Sequence, residues 1–302
     1  MSQKIRIGTR ESKLAVWQAT RVSDMLARQG HSCELVYIKS EGDINLVTPL
    51  YELGVQGIFT KALDIALLNN EIDIAVHSYK DIPTMPASGL MIAAVLKRDS
   101  PYDVLVSNKP FNAETPITIA TSSIRRRAQW LFKYPGSTIE NLRGNVNTRI
   151  EKLKNSTWRG AIFAAAGLQR LGLTEQETGP QLLLDWMLPA PAQGAIAIVC
   201  KSSHSEMLEA CAALNDEITA ACTKVERDFL RQLQGGCSTP ISGLATVEDD
   251  KIVFRGNITA PDGTDSIDVF VQEEFSQKDS VAELAAEQIL SSGAGKYINA
   301  EK

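Results

Sequence analysis

Residues 57–84, GIFTKALDIALLNNEIDIAVHSYKDIPT, carry the pattern that decides the fold of this 302-residue chain. Apolar residues recur at helical spacing from about Phe59 to Asn69, and the short apolar run from Asp73 to His77 then predicts a strand. Charged and turn-forming residues follow directly where that strand ends. A helix that leads into a buried strand indicates a β-α-β architecture, in which helices cover a mainly parallel sheet.

The same alternation extends toward the N-terminus. Strands are predicted at Lys4 to Thr9 and at Glu34 to Lys39. The helix between them has Ser12 as its N-cap and stops at Gly30, because serine favours a helix start and glycine a helix end. The connection from Ser40 to Gly57 has three glycines, one proline and no clear period, so we expect a flexible loop that closes over a site.

Beyond Ser100 the alternation of strands and helices starts again and then changes. This second α/β segment contains predicted elements at Asp103 to Ser107, Ile117 to Thr121, Ser123 to Phe132, Val146 to Lys154 and Ala161 to Ala165. A strand at Ala195 to Cys200 and a helix at about Ile218 to Leu233 follow. After that helix, two strands precede a single helix, which predicts a small antiparallel α+β domain. Three domains fit this order of elements.

Composition restricts the class of protein. A net charge of −5 argues against a general nucleic-acid-binding protein, which usually carries a basic excess. No apolar segment has the length of a signal peptide or of a membrane span, about 20 residues. The five cysteines include no C-x-x-C pair, and no His/Cys/Asp spacing suits a metal ion. We expect a cytoplasmic protein with reduced thiols, no metal, no membrane partner and no nucleic-acid partner.

Lys80 and Asp81 lie directly after a predicted strand, where open α/β sheets bind ligands. A carboxylate beside a cation can act as an acid, a base or an ion-pair partner, depending on its pKa. The alternative is an aspartate that only forms a turn before proline. His77, at the end of the apolar strand, is expected to be a structural histidine.

Arginines cluster where strands end and helices begin. Arg125, Arg126 and Arg127 lie in the first turns of a helix, where positive charge opposes the helix dipole and a bound anion would remove that cost. Arg143 precedes the next helix and Arg149 lies on it, and the guanidinium group binds carboxylates through two hydrogen bonds. A solvated basic helix face is the alternative. Arg10 and Arg170 could join these arginines. Each alone is more typical of a surface arginine, but several arginines at element ends in an acidic protein predict a pocket for a polyanion.

Cys237 follows two glycines and precedes Ser-Thr-Pro, so it is predicted to lie on a tight, exposed turn. It could be a nucleophile or an attachment point, and an incidental loop thiol is the alternative. The remaining cysteines occur in apolar segments and are expected to pack in the core, as free cysteines usually do. They are Cys33, Cys200, Cys211 and Cys222.

Six segments in order resemble the hydroxymethylbilane synthase (porphobilinogen deaminase) family over nearly the whole chain. They are RIGTRESKLA, GIFTKALDIALLNNEIDIAVHSYKDIPT, TSSIRRRAQ, LRGNVNTR, APAQGAIAI and LQGGCSTPI. The resemblance implies two α/β domains like those of type 2 periplasmic binding proteins and a small C-terminal α+β domain. The implied bounds are 1–97 with 193–212 for domain 1, 98–192 for domain 2 and 213–302 for domain 3.

The resemblance also implies the activity, a transferase reaction of porphyrin biosynthesis. Four porphobilinogen molecules are joined head to tail into a linear tetrapyrrole, and each loses ammonia. A dipyrromethane cofactor is implied as a thioether on Cys237, and Asp81 as the catalytic residue that hydrogen-bonds the pyrrole N–H and assists proton transfer. The implied ligands of the carboxylates are Arg10, Arg125, Arg126, Arg143, Arg149 and Arg170, with further contacts from Ser12, Lys80 and Ser123.

Two departures from the family pattern stand out. The loop that usually reads GGKG has Gln56 in place of the lysine, so a loop contact to a carboxylate from that position is in doubt, and Arg127 occupies a position that is commonly uncharged. Two other classes of protein are alternatives. A ligand-binding receptor of the same fold gives no role to Cys237, and a nucleic-acid-binding protein disagrees with the net charge. The expected partners are porphobilinogen and the growing pyrrole chain, bound by a monomer.

Overall fold

A computed structural model describes residues 4–39, 60–112, 116–234 and 239–298 of the chain. These residues form two compact units. The described residues of unit 1 are 4–39, 60–99 and 194–220, and those of unit 2 are 100–112, 116–193, 221–234 and 239–298. Whether the chain divides into three domains at the bounds given above stays a prediction.

The strands are, in chain order, β1 (Ile5–Thr9), β2 (Cys33–Tyr37), β3 (Ile74–Ser78), β4 (Leu90–Val95), β5 (Asp103–Ser107), β6 (Thr118–Ala120), β7 (Thr138–Glu140), β8 (Gly160–Ala164), β9 (Gln181–Leu184), β10 (Ile196–Lys201), β11 (Ile241–Glu248), β12 (Lys251–Thr259) and β13 (Ser266–Glu274). The helices are α1 (Lys13–Arg28), α2 (Lys61–Leu68), α3 (Ile124–Lys133), α4 (Val146–Lys154), α5 (Ala165–Arg170), α6 (Glu175–Thr178), α7 (Ser205–Ala212), α8 (Glu217–Gln232), α9 (Val281–Ser291) and α10 (Gly295–Ile298).

Unit 1 is built on a five-stranded sheet in the order β2-β1-β3-β10-β4. Strand β10 runs opposite to its neighbours β3 and β4, while β1 is parallel to both β2 and β3. Helix α1 packs its apolar face, including Val22 and Leu26, against buried strand residues such as Ile7 and Ile198. The prediction of a mainly parallel sheet covered by helices is therefore confirmed for unit 1.

Unit 2 contains a second five-stranded sheet, in the order β7-β6-β8-β5-β9. Here β5 is the reversed strand, antiparallel to β8 and β9, while β6 is parallel to β7 and β8. Alternate residues of β5 point to two separate apolar clusters, with Val104 and Val106 in one and Leu105 in the other. The sheet is thus buried on both faces, as a sheet with parallel strands normally is.

The C-terminal part of unit 2 forms an antiparallel sheet in the order β11-β12-β13. Helices α8 and α9 supply the residues that pack with its strands, and the Phe229 and Phe254 rings lie 4.8 Å apart at their centroids. This arrangement is the predicted small α+β domain. Helix α3 is tied to it, because the Gln129 Nε2 donates a hydrogen bond to the Ser242 Oγ at 2.9 Å.

The fold class predicted from sequence, α/β with a small α+β part, is confirmed. The elements that the sequence did not reveal include the strands β4, β7, β9 and β11. Strands β7 and β9 have three and four residues, which is too short for a period to be recognised. Across the described part of the chain, none of the helices has both the length and the apolar character needed to cross a membrane.

Candidate active site

In unit 1 the candidate residues follow two adjacent strands. Strands β1 and β3 are parallel neighbours, so their carboxyl ends lie at the same end of the sheet. Arg10 and Ser12 come directly after β1, and Lys80 and Asp81 come after β3. The fold therefore brings these four predicted residues to one end of the sheet, where ligands bind in open α/β folds.

Asp81 is the last residue of a 3-10 turn, Tyr79–Asp81, that is held by buried groups. The Tyr79 N–H donates to the Ala195 carbonyl oxygen at 3.0 Å, and the Ile82 N–H donates back to the Tyr79 carbonyl oxygen at 3.2 Å. The strand residue before the turn, Ser78, accepts a hydrogen bond from the buried Gln18 side chain at 2.8 Å. These contacts fix the backbone that carries Asp81, and the Asp81 residue itself is half-buried.

His77 is buried beneath this turn, as the structural interpretation predicted. Burial, and to a smaller extent the positive charge of Arg10, lower the pKa of His77 to about 4. The imidazole is therefore neutral at pH 7, and its Nε2 atom has no hydrogen-bond partner among the described residues.

Ser12 and Ser123 are both N-caps. The Ser12 Oγ accepts from the Ala15 N–H at 3.3 Å, and the Ser123 Oγ accepts from the Arg126 N–H at 3.5 Å. The prediction that Ser12 caps the first helix is confirmed. A serine hydroxyl can still donate its proton while it accepts a capping bond, so capping is compatible with the predicted contacts to cofactor or substrate.

In unit 2 the arginines follow three neighbouring parallel strands. Arg125 and Arg126 come after β6, Arg143 and Arg149 after β7, and Arg170 after β8. Because β7, β6 and β8 are adjacent in the sheet, their carboxyl ends lie side by side. The sequence placed these five arginines in three separate segments, and the fold brings the segments to one end of one sheet.

Arg125 and Arg126 share a carboxylate that the sequence analysis did not identify. The Arg125 Nη2 lies 2.7 Å from the Asp103 Oδ2, and the Arg126 Nη2 lies 2.7 Å from the Asp103 Oδ1. The Nη1 atoms donate to backbone carbonyls, that of Arg125 to Leu188 at 2.7 Å and that of Arg126 to Ile162 at 2.9 Å. The two guanidinium groups are thus partly committed to groups of the protein itself.

Asp103 reaches the arginines because β5 is reversed in the sheet. Its first residue lies at the end where the parallel strands finish, and Asp103 is fully buried there. Burial lowers the pKa of Arg125, while the Asp103 charge works in the opposite direction. The sequence predicts a bound anion that offsets the unfavourable interaction of the arginines with the helix dipole. An internal carboxylate supplies part of that compensation, so two arginines and one aspartate leave one net positive charge.

The other arginines lie around the next strand ends. The Arg149 Nε donates to the Gly144 carbonyl oxygen at 2.7 Å, across a turn in which Gly144 has a φ of +116°. Arg143 is buried, and burial lowers its pKa. Arg170 is also buried, whereas Arg127, which was not assigned to the site, is exposed.

Two predicted features lie outside the described residues: Cys237 and the loop at 40–58 that includes Gln56. The four described cysteines are free thiols, with Cys33 half-buried and the other three buried. Within the described ranges, no group of three or more His, Cys, Asp or Glu side chains could hold a metal ion. The one sequence signal for Asp103 was an acidic residue directly before an apolar run, in DVLVS.

These features define an α/β protein. The parallel strands of unit 2 end in arginines, as suits a ligand with several carboxylates, and a lysine–aspartate pair follows a strand of unit 1. Residues 5–209 match the family model described as "Porphobilinogen deaminase, dipyromethane cofactor binding domain", and residues 220–291 match "Porphobilinogen deaminase, C-terminal domain". The chain belongs to the porphobilinogen deaminase family.

Curated relatives agree with this assignment. The chain is 47% identical over 253 residues to the probable porphobilinogen deaminase of Methanocaldococcus jannaschii, covering 83% of this chain and 86% of the relative. It is 40% identical to the porphobilinogen deaminase of Moorella thermoacetica, covering 99% and 97%. The chloroplastic enzyme of Pisum sativum is also 40% identical, covering 98% and 83%.

Solved structures with a similar arrangement include the periplasmic VFT2 domain of Bordetella pertussis BvgS. Its TM-score is 0.42 at 12% identity, covering 69% of this chain and 85% of that chain.

Proposed function

We propose that this chain joins four porphobilinogen molecules head to tail into the linear tetrapyrrole hydroxymethylbilane, with release of ammonia. Family membership supports the reaction. The observation that carries the assignment of residues is the set of arginines at three neighbouring strand ends of unit 2, since each porphobilinogen brings two carboxylates. A growing chain of such units needs fixed positive charge to offset its self-repulsion.

Asp81 is the proposed catalytic residue. A carboxylate that accepts a hydrogen bond from a pyrrole N–H stabilises positive charge that develops on the ring, and it can take up or return a proton. The buried Tyr79 backbone contact and the Gln18–Ser78 hydrogen bond hold the turn, so Asp81 need not be ordered again in each cycle. Lys80 and Arg10 add positive charge at the same end of the unit 1 sheet.

The arginines of unit 2 are proposed to bind carboxylates. Arg125 and Arg126 each retain an Nε–H that is buried and has no hydrogen-bond partner among the described residues. A buried donor without a partner is costly, so a ligand oxygen at this position would be stabilising. Ser123 is proposed to contribute its hydroxyl at the N-terminus of α3, where anions are favoured.

A dipyrromethane cofactor fits this donor set, because its acetate and propionate groups match arginine side chains in charge and geometry. We propose that it is attached through a thioether to Cys237 and held by Arg125, Arg126, Arg143, Arg149 and Arg170. When bound, the cofactor supplies the nucleophilic pyrrole carbon to which the first substrate unit is joined. The chain's own residues bind its carboxylates, orient it and keep it in place between reactions.

The proposal includes the setting of the reaction. The protein is taken to act in the cytoplasm as a monomer, on a small-molecule substrate, with no nucleic-acid or membrane partner. The acidic net charge favours a soluble protein without affinity for nucleic acid. Light scattering of the purified protein with and without porphobilinogen tests the oligomeric state, and a dimer in either sample would contradict it.

Intact-mass measurement of the purified protein tests the function. Wild type is expected to exceed its sequence mass by two linked pyrrole units, and Cys237→Ser is expected to show no excess and no turnover. Cys33→Ser is the matched control, because Cys33 is the half-buried thiol among those described and has no proposed role. It is expected to keep the added mass.

Addition of porphobilinogen completes the test. Wild type should gain mass in steps of one pyrrole unit and release the tetrapyrrole. A wild type that has no added mass, gains none with porphobilinogen and consumes none would contradict the proposed function. That result would favour a ligand-binding protein of the same fold.

A further inference from the structure

We propose that Asp103 is a positioning residue for the carboxylate-binding arginines of unit 2. This role rests on the proposed function, because it concerns how Arg125 and Arg126 are presented to substrate and cofactor. Asp103 is fully buried, and each of its carboxylate oxygens accepts a hydrogen bond from a different guanidinium group, at 2.7 Å in both cases. One carboxylate therefore sets the orientation of two cationic side chains that are neighbours in sequence.

The hydrogen bonds determine which donors remain for a ligand. A guanidinium group has five N–H donors. In Arg125 and Arg126, one Nη binds Asp103 and the other binds a backbone carbonyl, so both ends of the planar group are fixed. The Nε–H of each remains buried without a partner among the described residues. Asp103 thus holds these two Nε–H groups, one on each arginine, in fixed directions, which lowers the ordering cost of binding an anion.

A second contact fixes Asp103 itself. The Gln193 Nε2 donates to the Asp103 Oδ1 at 2.9 Å and to the Pro101 carbonyl oxygen at 2.7 Å. Gln193 is fully buried and lies in the segment just before β10. The carboxylate is therefore held by one amide and by two guanidinium groups, and it has little freedom to turn.

The balance of charges explains why this group of side chains favours a bound carboxylate. Arg125 and Arg126 occupy the first turn of α3, where positive charge opposes the helix dipole. Without Asp103, two adjacent buried cations would repel each other and turn toward solvent. With Asp103, one positive charge is neutralised and one remains, so the site stays folded without ligand and still attracts a carboxylate.

The test compares Asp103→Asn with Asp73→Asn. Asp73 is the matched control, because both of its carboxylate oxygens also accept from an arginine, with the Arg6 Nη2 at 2.8 Å and the Arg6 Nε at 3.1 Å. It lies before β3, at the end of the unit 1 sheet opposite to Asp81. Each variant is measured for melting temperature, for the fraction with added pyrrole mass, and for KM and kcat per loaded chain.

Asp103→Asn is expected to raise the KM for porphobilinogen by about tenfold or more per loaded chain, with a smaller change in kcat. It is also expected to lower the fraction that carries pyrrole mass. Asp73→Asn is expected to lower the melting temperature without changing KM or the loaded fraction. If Asp103→Asn matches wild type in KM and in loaded fraction, the positioning role is wrong.

A double variant covers the case in which Asp103→Asn does not fold. Asp103→Asn combined with Arg126→Gln removes one charge of each sign and avoids two uncompensated cations. Asp103 still binds Arg125 in the single variant Arg126→Gln, so the double variant should have a KM several-fold higher than Arg126→Gln alone. A double variant with the same KM as Arg126→Gln would overturn the proposal. Wild type without pyrrole mass and without turnover would instead overturn the proposed function.

Discussion

In each five-stranded sheet, the fourth strand in the sheet order runs opposite to its neighbours. The first residue of that strand differs in chemistry between the two sheets. In unit 1 the reversed strand β10 begins with Ile196, paired with Ser78 at the end of β3. In unit 2 the reversed strand β5 begins with Asp103, paired with Ala164 at the end of β8. Both residues are buried, at 2% and 0% exposure. A shared topology therefore supports an apolar residue at one position and an ion-pair network at the other.

The difference shows that the fold sets where side chains meet and the sequence sets what they do there. In unit 1 the arginine after the first strand, Arg10, precedes the N-cap Ser12. In unit 2, Arg125 and Arg126 follow the N-cap Ser123 and lie within the helix. Arginines inside a helix N-terminus need a counter-charge, and Asp103 provides one. Unit 1 has no such requirement at Ile196, and its carboxylate Asp81 lies on a partly exposed turn.

The largest expected effect comes from removing the unit 1 carboxylate. Asp81→Asn keeps the shape of the side chain but cannot take up a proton, so turnover of porphobilinogen is expected to fall about 10²- to 10⁴-fold. The melting temperature and the added pyrrole mass should remain those of wild type, because Asp81 is only half-buried. Steady-state kinetics per loaded chain measure the effect. A fall of less than tenfold would mean that unit 1 does not supply the catalytic carboxylate.

The second-largest effect is expected when Ile196 of unit 1 is replaced by aspartate, the residue at the matching position of unit 2. Ile196→Asp would bury a carboxylate with no arginine pair to receive it, and we expect a loss of about 3–5 kcal/mol in the free energy of unfolding. Ile196→Val, which removes one methyl group, should cost only about 1 kcal/mol. Denaturant unfolding followed by circular dichroism measures both variants. If Ile196→Asp were no worse than Ile196→Val, the position would tolerate charge without the network.

The smallest of the three effects concerns pH. His77 has a folded pKa of about 4 against 6.5 for the free side chain, so the unfolded chain binds the proton first as pH falls. The stabilising contribution of neutral His77 is fully present above pH 6.5 and is lost toward pH 4, by about 3 kcal/mol. His77→Gln removes this titration, and its unfolding free energy should fall less over that range.

Denaturant unfolding at several pH values between 7 and 4 compares wild type with His77→Gln. Asp73 provides an internal check. Burial acts to raise the pKa of Asp73, but hydrogen bonds from Arg6 and its charge outweigh burial and lower it, so its contribution is lost only at still lower pH. If the free energy of unfolding changed equally with pH in wild type and in His77→Gln, His77 would not be held neutral in unit 1.

The family, the fold class and many of the elements could be predicted from the sequence, because they depend on local patterns. Helical and strand periods predicted the central elements of both sheets, and β5 and α4 have the bounds expected. The Ser12 cap could be read from residue type alone. Asp81 and the arginines were recognisable because they follow strands in segments that resemble the family. Their roles in catalysis and binding stay proposals.

Only the tertiary structure decided the network around Asp103. The network joins residues that are far apart in sequence: Asp103, Arg125 and Gln193. They meet because β5 is reversed beside β8, and because the segment before β10 passes the first residue of β5. Hydrophobic periodicity predicts that β5 is a strand but not its direction or its neighbours. Strand pairing depends on contacts between distant segments, so the sequence alone determined which charges this protein carries, and the fold decided which of them compensate one another.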